Sequence, residues 1–575
     1  MLARSGGIRN VGEMIFGENV VKSRTSVFAV LPALVLAYAV HAGVPSPKKY
    51  VAFAWEFEDA TPSNILKVVD SLDRTPIDGI GLSMRIYARD GRRIKAKLMD
   101  QPALEWADLE PWVPVMRELT AHRSMRESMM KSICAPTNRL DWTDDGAWRR
   151  VSATMRNVAR FAKEGGLKGL WVDDEEYHGQ SQYYWCPGDP PYERLCEIVR
   201  GRGREVFSAM FSEYPDMTML FFRFFTRVYQ YNNCEDWESA RRTRGDLWPA
   251  FLNGLLDVLP PAAKIVDGFE YGYRFNAESN TYYWGHSMQK GRFVNHAAPE
   301  NRAKYFGQVS SAAAVYMDMY VNPEGKRWYA PPLNGSRSER FIANVAQATH
   351  AVDEYVWFWG ERQCWADWKG KMRQRKSIST ATWEESLPGI SAAMEFFKSP
   401  SAFAADRLSK LKRAGKFKPL NFNGECAKPA QIDKDGLAKP YSCWSDTRYG
   451  PAGTYGFDQT FGEGDTSSLV AEGVAHGCFV VSCGKVEPGK TYLVGFSVKG
   501  DVVGGNVEWK CGGQWRFSIP GISVPVSAPD ANGWRHGLTA IRIPEGADGF
   551  GLQLSVRQSA GERSWFDNVF YCPAE

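Results

Sequence analysis

Gly169-Leu-Trp-Val-Asp-Asp-Glu-Glu-Tyr177 is a short apolar run that ends in four consecutive carboxylates and an aromatic. A strand alternates its side chains, so Leu170 and Val172 face one way while Trp171, Asp173 and Glu175 face the other. On a solvated helix face four adjacent acids cost little. At the end of a buried strand they repel one another and push at least one pKa upward, which is how a chain sets a proton donor beside an ionised partner. Two readings follow: an ordinary acidic loop, or a strand end built for catalysis or metal binding.

The same texture recurs on both sides of this run. Candidate strands cover residues 50–57, 79–84, 130–135, 169–174, 218–224, 264–271, 314–320 and 354–360. Helical patterns such as 147–164 and 339–351 lie between them. Eight β/α units over this length predict a (β/α)₈ barrel, although residues 312–319 read equally as the end of a helix. An open doubly wound sheet is the competing fold, but no Gly-x-Gly-x-x-Gly turn follows the first strand. Past residue 420 short β-type runs separated by Gly and Pro take over, at 478–483, 491–499, 506–510, 537–543 and 551–557. This pattern predicts an all-β sandwich. The expected organisation is a leader at 1–42, a barrel at 43–405, a basic helix or linker at 406–420 and a sandwich at 421–575.

A chain of 575 residues has room for a large barrel and a smaller module. Its 70 basic and 66 acidic residues nearly balance, so neither a nucleic-acid nor a membrane-surface partner is implied. With 21 Trp, 24 Tyr and 31 Phe the chain suits flat, weakly polar ligands such as sugars, though large cores use aromatics too. Arg4, Arg9, Lys22 and Arg24 precede an apolar stretch at 27–40 that closes on Ala39-Val-His-Ala-Gly43. This describes a secretory signal cleaved after Ala42, with Met14 as an alternative start and an uncleaved anchor as the lesser reading. The stretch is short for a membrane span, so the mature chain is expected to have none. Export makes the eleven cysteines readable as disulfides, six of them in the C-terminal part, while the lack of a Cys-x-x-Cys pair argues against structural zinc.

Active sites of such barrels lie at the C-terminal ends of the strands. Those ends carry Trp55, Glu56, Asp173, Glu175, Glu176, Tyr177, Glu270, Tyr271, Tyr273, Asp318, Trp357, Trp359 and Glu361, with Trp365 just beyond. Acids and aromatics on one rim are what glycosidic cleavage requires: one carboxylic acid protonates the leaving oxygen, another stabilises the oxocarbenium-like centre, and rings grip the sugar. By strand parity Glu175 is the expected general acid, with Asp173 modulating its pKa. Glu176 takes that place if the register slips by one. Glu270 is favoured over Glu361 as nucleophile, because Gly268 and Gly272 leave room beside it, and the pair then acts with retention. Trp55, Glu56, Tyr177, Tyr271, Tyr273, Asp318, Trp357, Trp359 and Trp365 are the candidate substrate contacts. Alternation forbids all of them from facing one cleft. No cofactor and no metal are expected, although Asp173, Glu175, His178 and Glu270 together keep a divalent-metal barrel as an alternative. A non-catalytic polysaccharide binder with a degenerate barrel is the other. Oligomeric state is not readable.

The barrel as a whole resembles (β/α)₈ glycoside hydrolases. Asp173-Asp-Glu175 is similar to the Asp-x-Glu that ends strand four in chitinase-like enzymes, where the Glu is the acid; here Lys168-Gly-Leu-Trp stands where two further acids of that motif would be. Val356-Trp-Phe-Trp-Gly-Glu361 resembles the strand eight of a large clan of retaining barrels with a Trp sugar platform there, a clan that pairs glutamates from strands four and seven, whereas this chain has Asp318 on strand seven. The resemblance implies the superfamily and leaves the family open. Val486-Glu-Pro-Gly-Lys-Thr-Tyr-Leu-Val-Gly-Phe-Ser-Val-Lys-Gly500 and Ser564-Trp-Phe-Asp-Asn-Val-Phe570 make the C-terminal part resemble carbohydrate-binding jelly rolls. Trp509, Trp515 and Trp534 are then candidate stacking platforms.

Overall fold

The computed structural model describes residues 47–83, 85–94, 97–100, 103–176, 181–231, 237–371, 376–421, 423–426, 441–484, 486–500, 502–517 and 519–574. The proposed leader, Tyr177 and His178 lie outside the described residues. Eight parallel strands close into a barrel in chain order: β1 (Lys49–Ala54), β2 (Gly79–Leu82), β3 (Met129–Ile133), β4 (Gly169–Asp173), β5 (Thr218–Phe221), β6 (Lys264–Asp267), β7 (Val309–Tyr316) and β8 (Tyr355–Gly360). β1 and β8 pair over six residues, Lys49↔Tyr355 through Ala54↔Gly360, and seal the ring.

Alternation sorts the side chains into two cores. Val51, Phe53, Met129, Trp171, Leu220, Phe222, Val266, Tyr355 and Trp357 fill the barrel. Tyr50, Ala52, Leu170, Val172, Met219, Phe221 and Val356 point outward into the layer under the helices. Phe222 stacks on Trp357 with ring centres 5.0 Å apart, and Trp171 meets Trp357 edge-on at 5.6 Å. The interior is therefore a packed floor of aromatics under the mouth, each ring burying enough apolar surface to contribute roughly 1.5–3 kcal/mol. Gly81 makes this packing fit, since a Cβ there would stand 2.4 Å from the Phe53 ring.

Several strands end earlier than their apolar runs suggest. Residues 55–57 are not strand: Trp55–Glu58 form a helical turn directly after β1. β6 stops at Asp267, because Phe269 takes a left-handed φ of 48° and Glu270–Arg274 wind into a 3₁₀ turn. β7 begins at Val309, five residues before the expected start, and Met317–Tyr320 form a 3₁₀ turn after it.

Residues beyond 440 form two antiparallel sheets. One has five strands in the order Thr454–Asp458, Ser468–Glu472, Arg563–Pro573, Thr491–Gly500, Arg535–Arg542. The other runs Gln514–Trp515, Val502–Cys511, Gly549–Val556, Gly477–Gly484, Tyr441–Ser445, with Ile522–Val524 beside its second strand. Phe479, Val481, Val494, Phe496, Trp509, Leu552, Leu554 and Phe566 form the core between them.

Much of the stretch left open as basic helix or linker is helical. The helix Pro400–Arg413 places Ala404 and Leu411 in one apolar cluster with Leu493, Ala540 and Cys572 of the five-stranded sheet. Barrel and sandwich belong to one compact unit, with Arg542 on Glu339 at 2.7 Å. Among the described residues, no helix is long and apolar enough to cross a membrane.

The disulfide expectation is corrected. Among the described residues, the ten cysteines form no disulfide with one another. Cys478 and Cys483 sit five apart on one strand and so face opposite sides of the sheet. Cys483 points into the inter-sheet core, while Cys572 lies in the cluster beneath Pro400–Arg413.

Candidate active site

The C-terminal ends of β3 to β6 converge on one charged mouth above the aromatic floor. Lys131, at the centre of β3, points inward with its ammonium 4.3 Å from the Phe53 ring centre. It lies 2.9 Å from Glu58 and 3.4 Å from Asp173. Asp173, wholly buried at the end of β4, accepts the backbone N–H of Glu175 at 2.9 Å through its other oxygen. Burial pushes the Asp173 carboxyl up to about 6 against the pull of Lys131, and the charge of Glu175 adds to the rise.

The alternate acids face elsewhere. Buried Asp174 is gripped by Arg223 at 3.2 Å and Arg227 at 3.4 Å. Glu176 accepts the Tyr183 N–H at 3.1 Å and lies 3.7 Å from Arg227. The odd-numbered acids thus share one network and the even-numbered ones another, as strand parity demands. Burial raises the Glu176 pKa, opposed by Arg227.

Glu270 enters from the turn after β6, its backbone N–H donating to the Phe222 carbonyl at 3.0 Å. Arg223 approaches its carboxyl to 3.6 Å. Burial, opposed by Arg223 and reinforced by Glu175, Asp174 and Asp173, pushes the Glu270 pKa up to about 8. The mouth therefore holds a carboxyl whose burial and neighbouring strand-four acids favour its protonated form. Tyr271 accepts from Arg223 at 3.3 Å, and Tyr273 packs on Trp357 at 5.5 Å and on Tyr316 at 5.4 Å.

Across the mouth, half-buried Trp359 leans on Phe53 at 4.8 Å and donates its indole N–H to Glu361 at 3.0 Å. The Glu361 backbone N–H donates to Asp318 at 2.7 Å. Asp318 is buried, which lifts its carboxyl to about 7, and its Oδ1 has no hydrogen-bond partner.

Three expected substrate contacts are corrected. Glu56 is 1% exposed, and its oxygens accept N–H groups of Trp365 at 2.6 Å, Trp368 at 2.7 Å and Ala366 at 3.3 Å, so it ties down the chain after β8. Trp365 is buried against Phe358 and Trp383, outside the barrel. Trp357 is floor, its indole N–H given to the Gly268 carbonyl at 2.7 Å. Half-buried Trp55 packs against the layer under the helices.

Lys131, Glu58, Arg223 and Arg227 were not anticipated. The signal was present: a lone Lys within Met129-Met-Lys-Ser-Ile133 and a lone Arg within Phe221-Phe-Arg-Phe-Phe225 are ionised groups in apolar runs, which persist only where a partner neutralises them. Among the described residues, two groups of acids with a histidine lie close enough to share a cation. Asp70, Asp73 and His122 sit in the connections before β2 and β3, at the opposite end of the barrel, and Glu463, Asp530 and His536 sit in the sandwich. In the sandwich, Trp509 and Trp534 are buried, whereas Trp515 is exposed and packs against Gly551, where a Cβ would come within 2.3 Å of its ring.

No family model matches this chain, and no curated protein matches it. Partial likenesses to solved structures exist. The enzymatically active domain of bacteriophage CBA120 tailspike protein 4 is 18% identical over 27% of this chain, with a TM-score of 0.21, and this chain spans only 21% of it. TmCBM61, solved with β-1,4-galactotriose, is 15% identical over 27% of this chain and 99% of its own, with a TM-score of 0.19. The C-terminal family 22 carbohydrate-binding module of Clostridium thermocellum Xyn10B is 14% identical over 27% of this chain and 97% of its own, also with a TM-score of 0.19.

Proposed function

We propose that the chain is a glycoside hydrolase acting at the barrel mouth, with Glu270 and Glu175 as its working pair. The observation that carries this reading is Glu270: a buried carboxyl raised to about 8, beside Glu175 and above an aromatic floor. A carboxylic acid that holds its proton near neutrality is the donor that a glycosidic leaving oxygen needs. The roles expected from strand parity are therefore exchanged in this proposal. Glu270 gives its proton to the leaving oxygen as the bond from that oxygen to the anomeric carbon breaks, and the Glu175 carboxylate attacks that carbon. Glu270, now ionised, then takes a proton from the water that displaces Glu175, and the anomeric configuration is retained. Asp173 orients Glu175 through the bond to its backbone N–H, and Lys131 keeps Asp173 charged.

A screen of poly- and oligosaccharides and aryl glycosides tests the activity, and two variants test the roles. Glu270→Gln should lose about 10²–10⁴ in rate on natural linkages but far less on activated aryl glycosides, whose leaving group needs no proton. Glu175→Gln should be poor on both. The opposite pattern returns the roles to those read from parity, and a wild-type protein that cleaves nothing in the screen sinks the hydrolase. We also propose export, with the mature chain starting near Gly43. A retained, membrane-bound product that still begins at Met1 or Met14 would refute that.

A further inference from the structure

Among the described residues, the cations deep in the mouth are neutralised from within. Lys131 faces Glu58 and Asp173, Arg223 faces Asp174 and Glu270, Arg227 faces Asp174 and Glu176, and Arg85 pairs with Asp59. The rim over β6 and β7 differs. Arg274 closes the turn that carries Glu270, and Arg327 lies in the loop after β7; both are exposed. Their guanidinium carbons stand 4.7 and 5.4 Å from the centre of the Trp328 ring. Neither has a carboxylate within ion-pair distance among the described residues.

Trp328 itself is a built platform. Its carbonyl accepts from Asn322 at 2.7 Å, and Arg337 donates to the carbonyls of Asn322, Met319 and Ala330, so the loop backbone is pinned on both sides of the ring. The ring meets Tyr316 edge-on at 5.4 Å and Tyr273 at 6.2 Å, and Tyr273 rests on Trp357 of the floor. An aromatic path thus climbs from beneath Glu270 to two uncompensated guanidinium groups. With both guanidinium groups held over the Trp328 ring, an acidic sugar substituent reaching this rim would meet two planar forks of N–H donors, the geometry that binds carboxylate or sulfate in paired hydrogen bonds.

We infer that Arg274, Arg327 and Trp328 form an anion-recognising subsite, and that the glycan entering this mouth carries carboxylate or sulfate groups. The inference deepens the hydrolase reading and rests on the same mouth.

Affinity electrophoresis tests it without requiring turnover. The full chain is run through gels containing polygalacturonate, its carboxyl-reduced counterpart, a sulfated galactan or its desulfated counterpart. Retardation is expected with one or both acidic polymers and not with their neutral counterparts, and which acidic polymer retards tells carboxylate from sulfate. Arg274→Gln with Arg327→Gln should weaken it at least tenfold, and Arg274→Lys with Arg327→Lys should recover part, the charge remaining but not the fork. Arg149→Gln with Arg150→Gln, an equal change of charge on the exposed face of the helix Asp145–Glu164, should leave it unaltered. Thermal unfolding confirms that each variant is folded. The inference is overturned if no acidic polymer retards the wild type, if the neutral polymers retard it equally, or if the Arg274/Arg327 variant binds like the Arg149/Arg150 variant. Arginine-dependent retardation without hydrolysis keeps the subsite and sinks the hydrolase, while hydrolysis confined to neutral glycans does the reverse.

Discussion

Glu270→Gln replaces a buried carboxyl by an uncharged side chain of nearly the same shape. In the wild type, ionisation of this group is opposed by burial, Glu175, Asp174 and Asp173 and favoured only by Arg223. Its folded-state pKa is about 8 against an ordinary 4.5, so between those values the native state holds more protons than the unfolded chain. Stability from that proton is complete below pH 4.5 and is lost as pH rises through about 8. At about 1.36 kcal/mol per pH unit the whole displacement is worth roughly 5 kcal/mol. The side chain is 15% exposed and Arg223 can shift toward the ionised form, so roughly 2–4 kcal/mol of this should be measurable. Urea unfolding followed by tryptophan fluorescence, at several pH values from about 5 to 9, compares the two proteins. Their stabilities should be similar near pH 5, and the variant should gain on the wild type as pH rises to about 8 and level off by about pH 9. Parallel pH dependences would refute the claim that Glu270 is held protonated in the fold, and with it the donor role. If the claim holds, wild-type kcat/KM on a natural linkage should decline as pH passes about 8.

Lys131→Met leaves Glu58 and Asp173 without their shared cation, at a cost of about 3–5 kcal/mol in unfolding free energy. The loss should be smaller near pH 5 than near pH 8, because Lys131 is what holds the Asp173 pKa down. Glu56→Ala strands the N–H donors of Trp365, Ala366 and Trp368 and should lower stability by roughly 2–4 kcal/mol, measured from the denaturation midpoint. A cleft-lining acid would cost almost nothing. A fragment of residues 399–574 should fold cooperatively by circular dichroism and thermal melting, whereas one beginning at 421 should melt lower or fail to fold, since it lacks the helix that covers Leu493, Ala540 and Cys572.

The barrel was legible in the sequence because its evidence is local. Most of the eight strands centre on a short apolar run between polar segments, although Lys131 and Ser132 interrupt β3 and two serines β7, and alternation within β4 alone assigns Trp171 and Asp173 to the interior and Leu170 and Val172 to the helix layer. The same parity separates Asp173 and Glu175 from Asp174 and Glu176. Strand ends were less legible, since apolar residues continue into turns that pack equally well, as Phe269 does in left-handed geometry after β6. What the acids do is decided by partners remote in the chain. Glu56 and Glu270 both follow an apolar strand, yet one is sealed by N–H donors more than 300 residues away while the other is left with a single guanidinium and a crowd of carboxylates. Desolvation and Coulomb terms depend on distance in space, and separation along the chain does not encode it. Residue type therefore determined which groups can carry the chemistry, and tertiary contact decided which of them keeps its proton.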